Sequence, residues 1–170
     1  ATDILPIELV DVRATRIGNR FEKVVLKLRG PVHGVAAVAA KSLRLHMHGN
    51  VPFALTVRAW FVHHCTEIAV YEGDTLRGKL KGKSTGRGFE VESRLLPERP
   101  LEHDAFAAVA ELLSFPQKLC FVDLPPLGAL AAPEMELHFL FESPPELPHR
   151  VNVDDLRLHC APIVNLFEAQ

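Results

Sequence analysis

Nine histidines and three cysteines are the side chains of this 170-residue sequence that could bind a transition metal. His46 and His48 are two positions apart and would share one face of a strand, while residues 63–65 and 159–160 place further histidines beside cysteines. A zinc site needs three or four ligands converging at about 2.0–2.3 Å. No Cys-x-x-Cys or His-Glu-x-x-His pair supplies a rigid start for one. The pattern favours histidines on solvated strand faces and no bound metal. The alternative is a cupin-like, metal-dependent enzyme that uses His46 and His48.

A second chemical feature is a basic stretch at residues 77–87, in which five cations occur without an acid between them. These cations are Arg77, Lys79, Lys81, Lys83 and Arg87. A solvated hairpin tip accounts for such a cluster, and so does a surface that binds an acidic neighbouring protein. Nucleic acid fits less well, because no aromatic side chain is interleaved to stack on bases. We predict the five cations as partner-binding residues and expect no nucleic-acid partner.

The spacing of the residues gives little support to a catalytic motif. Residues 78–85 resemble a phosphate-binding loop, but three residues separate Gly78 from Gly82 where that motif has four. Acids such as Asp123, Asp154 and Asp155 lie beside turn signals, which predicts turn and capping roles. The residues alone therefore indicate no catalytic site, and we expect no cofactor.

Composition places the chain among ordinary globular domains. Apolar residues make up 48% and charged residues 24% of it, and a net charge of −2 offers nucleic acid no global basic field. Three cysteines, an odd number spread far apart, indicate reduced thiols and a cytoplasmic location. No apolar run reaches the roughly 18 residues of a transmembrane helix, so we expect no direct membrane insertion.

Period-two alternation of apolar and polar residues dominates the chain and predicts antiparallel strands with one solvated face. The clearest segments are residues 21–29, 43–48, 134–141 and 156–160. In the last of them Cys160 falls on the apolar side, which argues against a reactive thiolate. In the first strand the apolar parity switches between Leu9 and Val10, and this switch predicts a bulge.

Two segments show helical periodicity instead. Pro52 after Asn50 suits a capped first turn, followed by apolar positions at helical spacing: Phe53, Val57, Trp60, Phe61 and His64. The second helix begins near Asp104 and ends at Ser114–Phe115, because Pro116 disfavours helical geometry in the residue before it. Its periodic positions are Phe106, Val109, Ala110 and Leu113. These elements predict a mainly β (α+β) fold, with antiparallel, sandwich-like sheets and two packed helices.

Proline-rich connectors divide the sequence, since proline lacks the amide donor of a central strand. The connector at residues 143–153 separates a β-rich domain with two helices at 1–142 from a terminal strand at 154–170. We expect that strand to pair with the main body or to lead into the next domain of a longer chain. The apolar C-terminal residues predict an internal fragment of a larger polypeptide.

Three stretches, in order, resemble the TssF family (VasA or ImpG) of bacterial type VI secretion systems. Leu158-His-Cys-Ala-Pro-Ile-Val-Asn-Leu-Phe167 is similar to the family signature Asn-Cys-x-Pro-Val-x-Asn-Leu-Phe. Residues 114–124 resemble its Phe-Pro-x-Lys-Phe-x-Phe-Phe-Asp-Leu run, and residues 43–65 resemble its strand-then-helix unit. Two departures are His159 at the usual Asn and Cys120 at a bulky apolar position.

The resemblance implies a structural, non-enzymatic baseplate wedge component of a contractile injection machine for protein secretion. Its implied partners are TssG, TssK, TssE, further TssF copies and the VgrG spike. Its implied location is cytoplasmic, in a baseplate docked at the inner membrane complex. Asn165, Leu166 and Phe167 would then contact a partner or continue into the next element of the intact chain. A generic protein-binding module that uses residues 77–87 is the other alternative.

Overall fold

Two antiparallel sheets and two α-helices make up the part of the chain that the computed structural model describes, residues 6–30, 42–89, 104–127 and 132–162. In chain order the elements are β1 (Glu8–Ile17), β2 (Phe21–Arg29), β3 (Arg44–Met47), α1 (Val51–Ala59), β4 (Cys65–Glu72), β5 (Thr75–Lys79), β6 (Thr85–Gly86), α2 (Asp104–Ser114), β7 (Phe121–Asp123), β8 (Glu134–Glu142) and β9 (Leu156–Arg157). The first sheet has the order β1-β2-β8-β4-β5 and the second the order β6-β7-β3-β9. The predicted mainly β (α+β) fold is confirmed.

The first sheet follows the predicted alternation closely. Its inner face is fully buried along β2 and β8, where Leu26 pairs with Leu137 and Val24 with Phe139. Its outer face is charged, with ion pairs across the strands such as Arg13 Nη2 to Glu136 Oε1 at 2.7 Å. Period-two alternation predicts one solvated and one buried face, because successive side chains of a strand point to opposite sides.

The predicted bulge in β1 is confirmed. The pairing of β1 with β2 shifts register between Leu9 and Asp11, so that one extra residue is accommodated there. The backbone amide of Val12 donates to Asp11 Oδ1 at 2.9 Å beside the irregularity. The bulge brings Val12 to the buried side, which explains the switch in apolar parity.

The first helix begins as predicted. Asn50 Oδ1 accepts from the backbone amide of Phe53 at 2.9 Å, and Pro52 occupies the first turn. After Ala59 the helix widens into a π-helical turn at Trp60–His64. Phe61 lies there against the rings of Phe139 and Phe141, at centroid distances of 4.9 and 5.1 Å. The helix is well buried, as expected, and joins both sheets into one apolar core.

The end of the chain differs from the prediction of a strand through residue 160. Of the predicted strand residues 156–160, only Leu156 and Arg157 pair with β3, where Met47 faces Leu156. His159 then adopts a positive φ of 58°, and its Nε2 lies 2.6 Å from the carbonyl oxygen of Ile7. This turn leaves Cys160 half-buried instead of facing the core as the alternation predicted. Residues 163–170 lie outside the described part of the chain.

The proline-rich connector at residues 143–153 links β8 of the first sheet to β9 of the second sheet. Trp60 Nε1 donates to the carbonyl oxygen of Pro145 at 2.8 Å, which attaches the connector to the core. The connector ends in a capped 3-10 turn, Val153–Asp155, in which the backbone amide of Asn152 donates to Asp155 Oδ2. The capping role expected for Asp155 is confirmed. The domain boundaries proposed at these residues stay a prediction.

Candidate partner-binding surfaces

His46 lies on β3 and His48 directly follows it, on the side of the second sheet that faces away from the core. The rings of His46 and His48 are 5.9 Å apart and tilted by 56°, and His46 also packs on Phe121 at 4.8 Å. Burial lowers the pKa of His46 below its ordinary value, and the nearby His48 and Arg157 lower the pKa further. The described residues hold no group of three histidines, cysteines or acids that could bind a metal. The cupin-like alternative is not supported, since no third ligand joins His46 and His48 among the described residues.

The His-His-Cys run at residues 63–65 is divided among different environments. His63 is exposed, whereas His64 Nδ1 lies 3.1 Å from the carbonyl oxygen of Glu142. Burial raises the pKa of the Cys65 thiol to about 11, although a hydrogen bond with the backbone of Glu67 acts in the opposite direction. A thiol with so high a pKa is almost entirely protonated near pH 7 and is a poor nucleophile.

Residues 82–86 read Gly-Lys-Ser-Thr-Gly and so have the Gly-x-Ser-x-Gly pattern of a nucleophile elbow. A nucleophile elbow needs a serine between a strand and a helix, with its hydroxyl exposed. Ser84 instead precedes the short strand β6, and it is buried at 4% exposure. Ser84 is therefore not placed as a serine nucleophile.

The basic stretch at residues 77–87 does not form a hairpin tip. The turn between β4 and β5 lies at residues 73–74, and the stretch runs along the edge strand β5 and then crosses to the second sheet. Arg77 donates to Glu72 Oε2 at 2.6 Å, and Lys79 donates to Glu67 Oε2 at 2.5 Å. Both cations are therefore neutralised by acids of the adjacent strand β4.

Arg87 is also held within the fold. Asp123 accepts two bonds from Arg44, at 2.7 and 3.0 Å, and lies 3.0 Å from Arg87 Nε. Asp123 lies on β7 and joins it by charge to Arg44 on β3 and to Arg87, which follows β6, so the turn role predicted for it is wrong. A half-buried carboxylate shared by two guanidinium groups is a structural centre, because its charge is already matched.

Lys81 and Lys83 remain as the unneutralised part of the basic stretch. Both are exposed in the crossover between the two sheets, and neither forms an ion pair with the described residues. The crossover is attached on its β5 side by the backbone amide of Leu80, which donates to the carbonyl oxygen of Ile68 at 2.9 Å. The fold thus presents two lysines on a short, anchored loop.

The second helix has Glu111 inside and three of its large apolar side chains outside. Phe106, Val109 and Leu113 are 67%, 53% and 78% exposed, and we call these three residues the outer stripe of α2. Glu111 is buried and lies beside the equally buried Lys118. The apolar periodicity that predicts α2 therefore does not mark its buried side.

A groove of about 360 Å³ lies between the turn joining β1 to β2 and the proline-rich connector. Its charged lining is partly matched internally. Arg16 lies 3.7 Å from Glu22, and Arg20 forms an ion pair with Glu142. The groove offers mixed charge and proline rings, so its lining does not favour one class of ligand.

Comparison with known proteins relates this fold to a secretion machine. All of residues 1–170 match the family model described as "Type VI secretion system, TssF". The chain is also similar to a chain in a cryo-electron microscopy structure of the type VI secretion system TssK-TssF-TssG baseplate subcomplex, with a TM-score of 0.79 and 22% identity. That likeness shows a shared fold.

The alignment with that structure covers 98% of the present chain and 33% of the other, so the present chain spans about a third of its structural relative. No curated protein matches the chain. Among the described residues, no helix is both long and apolar enough to cross a membrane. Because the family match extends from the first residue to the last, the chain belongs to the TssF family of the type VI secretion system.

Proposed function

We propose that this chain is structural material of a type VI secretion baseplate and acts by protein–protein assembly, not by catalysis. The observation that carries the proposal is the family match over all 170 residues. The similar solved chain belongs to a baseplate subcomplex, which supports the same role. The exposed surfaces also suit assembly, since apolar side chains on the outside of a rigid helix favour contact with another protein.

The proposed partners follow from the composition of that subcomplex. TssK and TssG are the first partners, and further TssF copies are the next. TssE and the VgrG spike complete the set that family membership suggests. The proposed location is the cytoplasm, where the assembled baseplate docks at the inner membrane complex.

Within the basic stretch, we propose Lys81 and Lys83 as the residues that contact an acidic surface of a partner. Arg77, Lys79 and Arg87 are less suited to this role, because Glu72, Glu67 and Asp123 already match their charges. Exposed, unmatched charges guide association at long range more than they add to affinity.

Asn165, Leu166 and Phe167 remain predicted contact residues. They lie outside the described part of the chain, so their role rests on the sequence alone.

Co-purification of the intact subunit tests the proposed function. The full-length polypeptide carrying an affinity tag would be co-expressed with TssG and TssK and then fractionated by size. We expect one complex that contains the tagged polypeptide together with both partners. Elution of a folded tagged polypeptide free of both partners would contradict the proposal.

A further inference from the structure

The outer stripe of α2 is held outward by a buried ion pair. Lys118 follows the helix in the 3-10 turn Pro116–Leu119, and its Nζ lies 3.2 Å from Glu111 Oε1. Turning the helix to bury Phe106 or Leu113 would carry Glu111 into solvent and leave the ammonium group of Lys118 buried without its partner. An unpaired buried charge is strongly unfavourable. Among the described residues, the fold therefore fixes the apolar side of α2 as an external surface.

The outer stripe also lacks the charges that usually keep an exposed helix soluble. Ala108 and Ser114 are exposed beside it, and no charged residue occurs among residues 106–110 or 112–114. A helix surface that is apolar and uncharged is typical of one that packs on another element. The partner surface should therefore be apolar as well, a helix stripe or a sheet face without lysine or glutamate at its centre.

We propose that the outer stripe packs against an apolar element of the same polypeptide that lies outside residues 1–170. The structural relative is about three times as long as the present chain, so it contains further polypeptide that such an element could come from. The helix has 11 residues and is about 16 Å long. Its three side chains offer on the order of 400 Å², given that a whole aromatic side chain buries about 150–250 Å².

The small area decides between an occupant in the same chain and a separate subunit. A stable interface between two proteins buries about 800 Å² on each side, roughly twice what the outer stripe offers. A covalently joined segment has a far higher effective concentration and needs no such area. The inference rests on family membership and not on baseplate assembly, so it can fail while the proposed function holds.

Cysteine labelling of the full-length polypeptide tests the inference. Leu113→Cys and Val109→Cys would each be compared with Asp74→Cys, which places a thiol in the exposed turn between β4 and β5. The readout is the rate of maleimide labelling at the introduced site, resolved by peptide mass spectrometry from the native cysteines. Each variant would be measured alone and in complex with TssG and TssK. Circular dichroism would establish that all three variants are folded.

We expect the two stripe variants, without any partner, to be labelled at least about tenfold more slowly than Asp74→Cys. Unfolding in urea should equalise the three rates. Fast labelling of the isolated polypeptide that becomes slow only in the complex would overturn the proposal and assign the outer stripe to a separate subunit. Equally fast labelling in every state would overturn it as well, because the outer stripe would then be uncovered.

Discussion

Lys118 and Glu111 form an ion pair in the interior, with Nζ 3.2 Å from Oε1 and side-chain exposures of only 6% and 3%. The two residues are seven positions apart and belong to different elements, α2 and the 3-10 turn that follows it. Between them the helix ends at Phe115, whose backbone amide still donates to the carbonyl oxygen of Glu111 at 2.7 Å and whose φ of −136° leaves the helical region. The pair sets the rotation of α2 and therefore the surface that the domain presents.

Removing one member of this pair should destabilise the fold severely. In Glu111→Ala the ammonium group of Lys118 stays buried without its carboxylate, and we expect a loss of about 3–5 kcal/mol in the free energy of unfolding. The double variant Glu111→Leu with Lys118→Met should recover most of that loss, since an apolar pair needs no charge partner. Urea unfolding followed by circular dichroism measures both. A single variant as stable as the parent would show that the ion pair is solvated in solution.

A close backbone approach makes Gly88 irreplaceable. Its φ is +113°, and a Cβ there would lie 2.7 Å from the carbonyl oxygen of Lys118 and 2.8 Å from Leu119 Cδ2. Gly88→Ala should therefore cost more than the roughly 1–3 kcal/mol of backbone strain alone. Gly73→Ala is the matched control, because Gly73 also has a positive φ, +58°, but open space around it. Thermal unfolding should give the larger loss for Gly88→Ala, and equal losses would remove the steric explanation.

The strands, the first helix and the bulge were predictable because each depends on neighbours in sequence. Alternation in β2 reports burial directly, since Val24, Leu26 and Leu28 all reach the same core face. The Asn50 cap and the first-turn Pro52 are likewise local signals. The short β9 was not predictable, because the positive φ of His159 ends the alternation without a glycine or proline at that position.

Which cations of the basic stretch form ion pairs depends on acids distant in sequence. Arg87 is matched by Asp123, 36 positions away, and Lys79 by Glu67 on the preceding strand. A linear reading counts five free cations, whereas strand pairing leaves two exposed lysines without an ion pair among the described residues. The buried side of α2 could not be predicted for the same reason, because the burial of Glu111 depends on Lys118 in another element.

Reversing the charge of the two unmatched lysines should weaken assembly. For Lys81→Glu with Lys83→Glu we expect association with the TssG and TssK partners to slow by about tenfold or more at low ionic strength, with the difference shrinking as salt screens it. The control is Arg77→Glu with Lys79→Glu, which changes the net charge equally but affects cations already paired within the hairpin. Surface-based binding kinetics at two salt concentrations measure both. Equal slowing by the two double variants would point to net charge instead of a local contact.

Acidification should destabilise the second sheet through His46. Its pKa is lowered in the folded protein, so below about its ordinary value of 6.5 the unfolded chain binds a proton that the folded chain does not. Stability is therefore full above pH 6.5 and falls as the pH drops toward the lowered folded pKa. His46→Leu should flatten this part of the profile, whereas His63→Leu at an exposed site should not. Urea midpoints between pH 5 and 8 measure the slopes. Parallel profiles for His46→Leu and the parent would contradict the assignment.

Loss of the indole hydrogen bond should loosen the proline-rich connector selectively. Trp60→Phe keeps an aromatic ring near Phe141, whose centroid is 5.4 Å from that of Trp60, but it removes the donor to the carbonyl oxygen of Pro145. We expect a loss of about 1 kcal/mol in stability. We also expect faster tryptic cleavage after Arg150, an exposed residue in that connector.

Cleavage after Lys81 serves as the internal control in the same digest. Lys81 lies in the exposed loop between β5 and β6, and the indole hydrogen bond joins Trp60 to Pro145, so neither of its partners belongs to that loop. Mass spectrometry of the fragments over time gives both rates. A rise at Arg150 alone means that the hydrogen bond holds the connector against the core and that its loss permits local opening. Equal acceleration at both sites would instead indicate global destabilisation, and unchanged rates would mean that the connector is held by its other contacts.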